Sequence, residues 1–526
     1  MNAQTKAKMI KQLRALFLGD ADLQAEYKNS DAFIKMVLKL GDKSPFKRNL
    51  CTSSDSYKAS HPKQFPRGTT HTSYYVEARG GKFDEIMVQG LHGVARILEQ
   101  GVTVEDVERA NNLFKSHFGR DIFVYKQWLR IATEFDGKIP VNMFGVKECA
   151  VLPVKNAMAV LENTHEDYYW LPGHFEPLLM RGIWYPTAVG TISFHVKEAL
   201  RRALERTSDL TGADLDFILK TRLHDFGLRG VSSEESARIG GLAHLMNFIG
   251  TDTVEALIMA QDLYNMAEDF AAGISIPARE HSTTISYGDD GELTPDQEDE
   301  AFENSIDQYG DGVYACVMDS KDFEAAVLRV SRKFKAKILD MGGVFVFRPD
   351  SGDMFANIKY ALETLSEEFG YTVNSKGFKV LHPSVRIIQG DGLNKVHDIV
   401  AVTDCVEDLG YSVENIAFGM GGGLLQQVNR DTHKVAMKMS ALKVNGVWRK
   451  VRKTPKGAEW KTSKAGRLRL VKIDGEYRTV DILEFPEYEH VNEYVQYLRS
   501  GYGMFEYNEE LFLQIRAYSD TQHLTA

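Results

Sequence analysis

VFVFRPDSGD, residues 344–353, is a four-residue run of alternating Val and Phe that stops at an Arg-Pro-Asp-Ser-Gly loop. A short unbroken apolar run of this kind suits a strand buried on both faces of a parallel sheet. The same construction recurs on either side of it. Residues 314–318 lead into Asp319-Ser320, residues 385–388 into Gln389-Gly390-Asp391-Gly392, and residues 416–418 into Gly419-Met420-Gly421-Gly422-Gly423. The four runs begin 30, 41 and 31 residues apart, which is the length of a βα unit, and helical patterns such as 356–369 lie between them. The spacing predicts an α/β chain built on an irregular or incomplete βα barrel over residues 221–429. The polar loops then lie at the carboxyl ends of the strands, the rim where barrels place their chemistry. Residues 51–220 and 430–526 are expected to form a second, α+β lobe packed on the barrel. Residues 1–50 read as a helical extension, with Met9, Ile10, Leu13, Leu16 and Phe17 on one face and Phe33, Ile34, Val37 and Leu40 on another.

Composition narrows the function. The chain has 526 residues and a net charge of −10, so a nucleic-acid backbone is not its main partner, although a small phosphorylated ligand in a locally basic pocket is allowed. Cys51, Cys149, Cys316 and Cys405 are far apart with no Cys-x-x-Cys spacing, so neither a zinc site nor a disulfide framework is expected and a cytoplasmic setting fits. No apolar run approaches a membrane span, and the stretch 15–18 is too short for a signal-peptide core. Residues 288–300 carry seven acidic side chains and read as a solvated loop. Residues 449–469 carry nine Lys or Arg, as either a solvated hairpin or a lid reaching toward phosphates.

Several rim residues carry possible chemistry. The glycine run 419–423 after a strand lets backbone N–H groups approach an anion, but it is not followed by Lys-Ser/Thr and is no Walker A loop. Arg348, Asp350 and Asp391 form a set: the carboxylates suit ribose hydroxyls or Mg²⁺, and the guanidinium suits a phosphate. His281 has Glu280 beside it, and Asp319 ends a different strand. A carboxylate would orient the imidazole, though spacing does not establish the contact. Phe226, in a tight turn ahead of Arg229, is either core or a flat platform for a heteroaromatic ring. Ser232 and Glu235 fit a capping box for the helix that follows. Asp252 either caps a helix begun at Thr253 or faces a ligand.

The ordered segments LHDFGLRGVSSEE (223–235), NFIGTDTVEAL (247–257), SIPAREHST (275–283), FRPDSGD (347–353), VRIIQGDG (385–392) and NIAFGMGGGLLQ (415–426) resemble the signature of the nicotinamide phosphoribosyltransferases. SSDSYKASHPKQFP (53–66) and WYPTAVGT (184–191) match as well. The resemblance runs from about residue 50 almost to the C-terminus. It implies the type II phosphoribosyltransferase fold and a homodimer with active sites shared across the interface. The implied reaction joins nicotinamide to phosphoribosyl pyrophosphate in NAD salvage, with Mg²⁺ and with ATP as phosphoryl donor to His281. Phe226 would stack one face of nicotinamide and Tyr57, from the other subunit, the opposite face, while Asp252 would accept the amide N–H. Arg348 would contact nicotinamide and phosphate, Asp350 and Asp391 the ribose hydroxyls, and Gly390, Gly421 and Gly422 the 5′-phosphate. Arg229 would touch substrate phosphates. Arg79, Arg430 and Lys438 of the other subunit would face pyrophosphate or ATP, and Glu280 and Asp319 would assist His281. Ser275, Arg386 and Ile388 complete the implied substrate-binding set, and no residue is expected to ligate the metal directly. Leu228, Arg279 and Met420 depart from the family pattern. The rival reading is a nicotinate phosphoribosyltransferase or a non-catalytic homologue. Asp252 argues against the first, and retention of His281, Asp350 and Asp391 against the second.

Overall fold

The computed structural model describes residues 48–457 and 462–524, together with 11–16 and a few residues between 18 and 34. Most of the apolar face read in the N-terminal extension lies outside the described residues; of those named, Ile34 is buried, Leu13 half-buried and Leu16 exposed.

Seven parallel strands form the barrel: β1 (Leu223–Asp225), β2 (Gly250–Thr251), β3 (Ala278–Arg279), β4 (Val313–Val317), β5 (Val344–Arg348), β6 (Val385–Gln389) and β7 (Ile416–Met420). Their spatial order is β2-β1-β7-β6-β5-β4-β3. The gap between the two edges is crossed by one stretch of chain. Ile274 pairs with Gly250 beside β2, with Thr251 N donating to its carbonyl at 3.0 Å, and four residues on Ala278 pairs with Ala315 of β4. The barrel is therefore irregular rather than open. Its strands run one or two residues past the predicted ends on β5, β6 and β7 because pairing continues there: Arg348 aligns with Val317, and Met420 with Asp225.

Strand parity sorts the side chains. Ala315, Val346 and Ile388 meet inside the barrel, with Phe226 against them. Phe345, Phe347, Ile387 and Phe418 face the helices outside. The loops after β1, β4 and β5 are each stopped by a helix with a side-chain cap, from Ser233, Asp322 and Asp353. Asp353 accepts from Ala356 N at 3.0 Å to start Met354–Phe369, which explains why the loop after β5 is short and fixed.

A second, antiparallel sheet is centred on Thr69–Ala78, flanked by Ala157–Asn163 and Val435–Val444. The 32-residue helix Glu176–Thr207 ties the two sheets together. Its first half (Leu178, Leu179, Ile183) packs in the antiparallel lobe's core, and its second half (Val189, Ile192, Val196, Leu200) in the barrel's.

Two sequence expectations are corrected, and one open alternative is decided. Ser233, not Ser232, caps the helix Glu234–Leu245, accepting from Ser236 N at 3.2 Å. The run 288–300 is not wholly a solvated loop. Thr294 and Gln297 form a capping box with Pro295 at the first turn, and the helix Pro295–Tyr309 begins there. Its Glu298 and Asp299 are buried and hold Arg329 at 2.6 and 3.1 Å. The basic run is no free lid: Lys453 and Ser463 bond to each other, and Lys464 Nζ reaches Glu77 at 2.9 Å.

Candidate active site

The barrel rim gathers side chains from strands that are distant in sequence and adjacent in space. Arg348 ends β5. Its Nε and Nη2 donate to the Oδ1 of Asp350 at 3.1 and 2.6 Å, so the carboxylate holds the guanidinium across the barrel mouth. The guanidinium carbon lies 5.4 Å from the ring centroid of Phe226. Phe226 itself is fixed by its N–H on the Met420 carbonyl, and its ring lies against Gly419. A Cβ at Gly419 would fall 1.9 Å from a ring carbon, so only glycine admits the ring there. Gly390 is similarly close to Arg348, where a Cβ would lie 3.1 Å from Nε.

Asp252 follows β2. Its backbone N–H donates to the Asp225 carbonyl at 2.9 Å, and its Oδ1 accepts from Ser275 Oγ at 2.5 Å. The helix it precedes, Val254–Tyr264, has Thr253 at its N-cap and no side-chain cap bond, so the carboxylate of Asp252 is not a cap. Ser275 belongs to the stretch that crosses between the barrel edges, which places an exposed carboxylate and hydroxyl together beside the Phe226 turn.

Beneath that turn, Asp225 is buried. Its Oδ1 accepts from Gly227 N at 2.8 Å, and the Thr253 hydroxyl is the side chain that offsets part of the burial of its carboxyl. Burial raises its pKa to about 6, with the charge of Asp252 adding to the rise.

On the opposite side of the rim, His281 Nε2 meets Asp319 Oδ1 at 2.9 Å. The Asp319 side chain is only 5% exposed, and its second oxygen accepts from Ser351 Oγ. Glu280 accepts from Ser282 Oγ instead of touching the imidazole. Strands β3 and β4 are neighbours, so residues 281 and 319 emerge on the same rim although 38 positions separate them. Arg279 commits its guanidinium to Ser305 Oγ, the Thr283 carbonyl and Asn304 on the barrel's outer side, while the imidazole faces Asp319.

Asp391 is exposed on the loop after β6. Gly421 and Gly422 follow β7, and Gly422 packs near Gly230 in the short turn that carries the exposed Arg229. Gly423 sits against the backbone of Asn394, which locks the loops after β6 and β7 together.

Two implied residues lie below the rim. Ile388 is inside the barrel, packed with Ala315 and Val346 under Phe226. Arg386 shares its face but sits near the amino end of β6, where its Nη1 donates to the carbonyls of His382 and Val385 at 2.9 and 2.7 Å. The structure does not bring Arg386 to the rim cluster, because the loop that begins at Gly390 is four residues further along the chain.

A second cluster forms on the antiparallel lobe. Tyr57, Arg430 and Lys438 line one cavity of about 580 Å³ with Asp55, Glu176 and Arg181, and none of Phe226, Arg348 or His281 lines it. Glu176 is bonded to Lys58 at 2.6 Å and lies 3.8 Å from Lys438. Arg79 and Lys464 both rest on Glu77, each at 2.9 Å. Burial lowers the pKa of Lys438, and the neighbouring Arg79, Lys453 and Lys58 lower it further, opposed by Glu176. Such a cation crowd, short of counter-charge, is suited to a polyanion.

Sequence reasoning passed over Ser351, Asp225, Glu176 and Lys464. Ser351 carried a readable signal in its place beside Asp350; the others are found only through the fold.

The family model described as the nicotinate phosphoribosyltransferase (NAPRTase) family matches residues 221–503, and that of the nicotinamide phosphoribosyltransferase N-terminal domain matches residues 49–143. The chain is 39% identical over 484 residues to a nicotinamide phosphoribosyltransferase of Xanthomonas campestris, covering 90% of this chain and 99% of that one. It is 29% identical to a protein of the same name from Acinetobacter baylyi, covering 78% and 85%. In fold it is similar to a nicotinate-nucleotide pyrophosphorylase from Pyrococcus furiosus (TM-score 0.57, 14% identity, 90% of this chain and 95% of that one). It is also similar to human nicotinic acid phosphoribosyltransferase (TM-score 0.51, 15% identity, 89% and 93%).

Proposed function

The chain belongs to the nicotinate phosphoribosyltransferase family, and from that premise we propose that it is a nicotinamide phosphoribosyltransferase of NAD salvage, making nicotinamide mononucleotide and pyrophosphate. The observation that carries the choice of base is Asp252. Its carboxylate is free of any helix-capping duty and stands with Ser275 beside the Phe226 platform. An amide N–H is a donor for it, whereas nicotinate would bring a second negative charge.

In this reading nicotinamide lies on Phe226, with its amide toward Asp252 and its ring nitrogen toward the ribose. The nitrogen lone pair attacks C1, the bond from C1 to the pyrophosphate oxygen breaks, and pyrophosphate leaves with that electron pair. The base is a neutral nucleophile, so the protein's work is placement and charge stabilisation. Asp350 and Asp391 hold ribose hydroxyls, the loops at Gly390 and Gly421-Gly422 take the 5′-phosphate, and Arg348 and Arg229 face the phosphates.

Among the described residues no group of three or more His, Cys, Asp or Glu gathers as a metal cage. A Mg²⁺ would instead be carried by the pyrophosphate, whose departing charge it would neutralise, while Asp350 and Asp391 hold the ribose hydroxyls. ATP is the phosphoryl donor to His281. With Asp319 on Nε2, the ring offers the Nδ1 lone pair to the γ-phosphorus, and ADP leaves.

Tyr57, Arg79, Arg430 and Lys438 are assigned to the active site of a second copy in a homodimer. The support is that Tyr57, Arg430 and Lys438 share a cavity which the rim residues of the same chain do not line. No helix among the described residues is long and apolar enough to cross a membrane, and a cytoplasmic setting is part of this proposal.

Chromatographic detection of nicotinamide mononucleotide from nicotinamide, phosphoribosyl pyrophosphate and Mg²⁺, with slower formation when ATP is omitted, is the expected result. Absence of product with both bases would overturn the assignment of activity. Product from nicotinate alone would overturn the choice of base.

A further inference from the structure

Arg279 precedes the Glu280-His281 pair, and the proposed reaction makes no use of it. It aligns with Cys316 of β4, whose side chain packs among the helix-facing residues, whereas the next residue inward along that strand, Ala315, faces the barrel axis. Arg279 therefore projects from the barrel's outer face. Its Nε donates to Ser305 Oγ at 2.8 Å, Nη1 to the Thr283 carbonyl at 2.7 Å and Nη2 to Asn304 Oδ1 at 3.3 Å. The guanidinium carbon lies 5.6 Å from the Tyr287 ring centroid. Every one of these partners is neutral, and among the described residues no carboxylate is paired with the guanidinium; the buried Cys316 thiol also lies within its reach.

These groups wall a cavity of about 350 Å³ behind the helix His281–Ile285. Arg279 is the only charged side chain in that wall among the described residues, and Thr283, Ser286 and Asn304 add hydroxyls and an amide. Tyr314 lines the same cavity. It is 2% exposed, and its Oη has no hydrogen-bond partner among the described residues. A buried hydroxyl and a guanidinium that line one cavity, the first with no partner and the second with no carboxylate among the described residues, make a donor-rich space that calls for an acceptor with several oxygens.

We propose that this cavity binds a phosphate-bearing anion, held by the guanidinium of Arg279 and the hydroxyl of Tyr314. The volume leaves room for more than the free ion, so the ligand is either inorganic phosphate or the phosphate of a small sugar phosphate. Arg279 is also bonded to the carbonyl of Thr283, two residues past His281, so the site abuts the histidine helix. That consequence rests on the phosphohistidine reading above, whereas the site itself does not.

The rim also takes phosphates, so the test uses the full chain carrying Arg348→Ala to weaken the rim. Calorimetric titration of this variant with inorganic phosphate should show one binding event per chain. Adding Arg279→Ala should weaken that event about 10- to 100-fold, the share of a charge-assisted hydrogen bond. Tyr314→Phe, which removes one oxygen from an otherwise unchanged side chain, should weaken it several-fold without moving the melting temperature. If Arg279→Ala does not fold, Arg279→Lys and Tyr314→Phe carry the test. Tighter binding of ribose 5-phosphate than of phosphate, lost with Arg279, assigns a sugar phosphate, and equal binding assigns the ion. Equal phosphate affinity with and without Arg279 and Tyr314, or no binding to the Arg348→Ala chain, overturns the proposal. Nucleotide formation from nicotinamide is assayed separately, so failure of the reaction and failure of this site are distinguishable.

Discussion

Replacing Asp252 with Asn tests the reading of base selection most directly. The substitution keeps the shape of the side chain and an oxygen for Ser275 Oγ, which now lies 2.5 Å from Oδ1. It removes the charge. A charge-assisted hydrogen bond contributes about 1.5–3 kcal/mol and a neutral one about 0.5–1.5 kcal/mol, so nicotinamide should lose roughly 1 kcal/mol of transition-state binding. Nicotinate, meanwhile, is relieved of facing a carboxylate. Two charges about 4 Å apart at an effective dielectric of about 20 repel by roughly 4 kcal/mol, and the exposure of Asp252 to solvent cuts this to about half or less. Together the terms amount to about 2–3 kcal/mol, so the ratio of kcat/KM for nicotinamide over nicotinate should fall about 100-fold. Competition kinetics with both bases present, read by chromatography of the two mononucleotides, measures that ratio without needing absolute rates. Because Asp252 caps no helix, the melting temperature should stay within about 1 °C. An unchanged ratio in a folded Asp252→Asn protein would refute the reasoning and remove Asp252 from the site.

Four further outcomes follow from the same geometry. His281→Ala should abolish ATP stimulation and leave slow basal transfer, since the imidazole is committed to Asp319; full stimulation in that variant would rule out a phosphohistidine. Ser351→Ala should slow phosphohistidine formation several-fold with basal transfer nearly unchanged, because Ser351 acts through the second oxygen of Asp319; radiolabel from γ-labelled ATP measures it. Mixing Tyr57→Ala with Asp350→Ala should restore part of the activity through mixed dimers carrying one intact site, and no recovery after demonstrated subunit exchange would count against shared sites. Burial holds Asp225 protonated up to about pH 6 in the fold against 3.8 unfolded, so it contributes stability at low pH that is lost as pH rises from about 4 to about 6. The cost above that window is roughly 3 kcal/mol. Asp225→Asn should therefore raise the melting temperature at pH 7.5 and bring no gain at pH 4, a difference that pH-resolved melting curves would reveal.

The recurring strand-and-loop cadence was legible because both signals are local. A four- or five-residue apolar run needs no knowledge of its neighbours, and the loops Arg348–Asp350, Gly390-Asp391 and Gly421-Gly422 come immediately after the strands that carry them. The helix inside the acidic run was legible in principle: Thr294-Pro295 with Gln297 is a start signal, masked by counting charges where the cap should have been read. Contacts set by sheet order were not legible. Nothing in the spacing of residues 281 and 319 places them together; the adjacency of β3 and β4 does.

Arg386 shows where a motif match and a structure part company. The segment 385–392 is continuous in sequence, and a resemblance carries its residues over as one block. A strand rises about 3.3 Å per residue, so four residues separate Arg386 from Gly390 by roughly 13 Å along the barrel. Parity adds a second condition. Arg386 and Ile388 point into the barrel, and Gly390 begins the loop at its mouth, so the motif contributes to the lumen at one depth and to the rim at another. Half-buried among the carbonyls of His382 and Val385, with its pKa pushed down by burial, Arg386 is in a position to shape the floor of the barrel. A phosphate seated at Gly390 and Gly421 is out of its reach without movement of the strand. The residues of one motif therefore divide into those at the rim and those that hold the strand beneath it, and strand register makes that division where similarity of sequence does not.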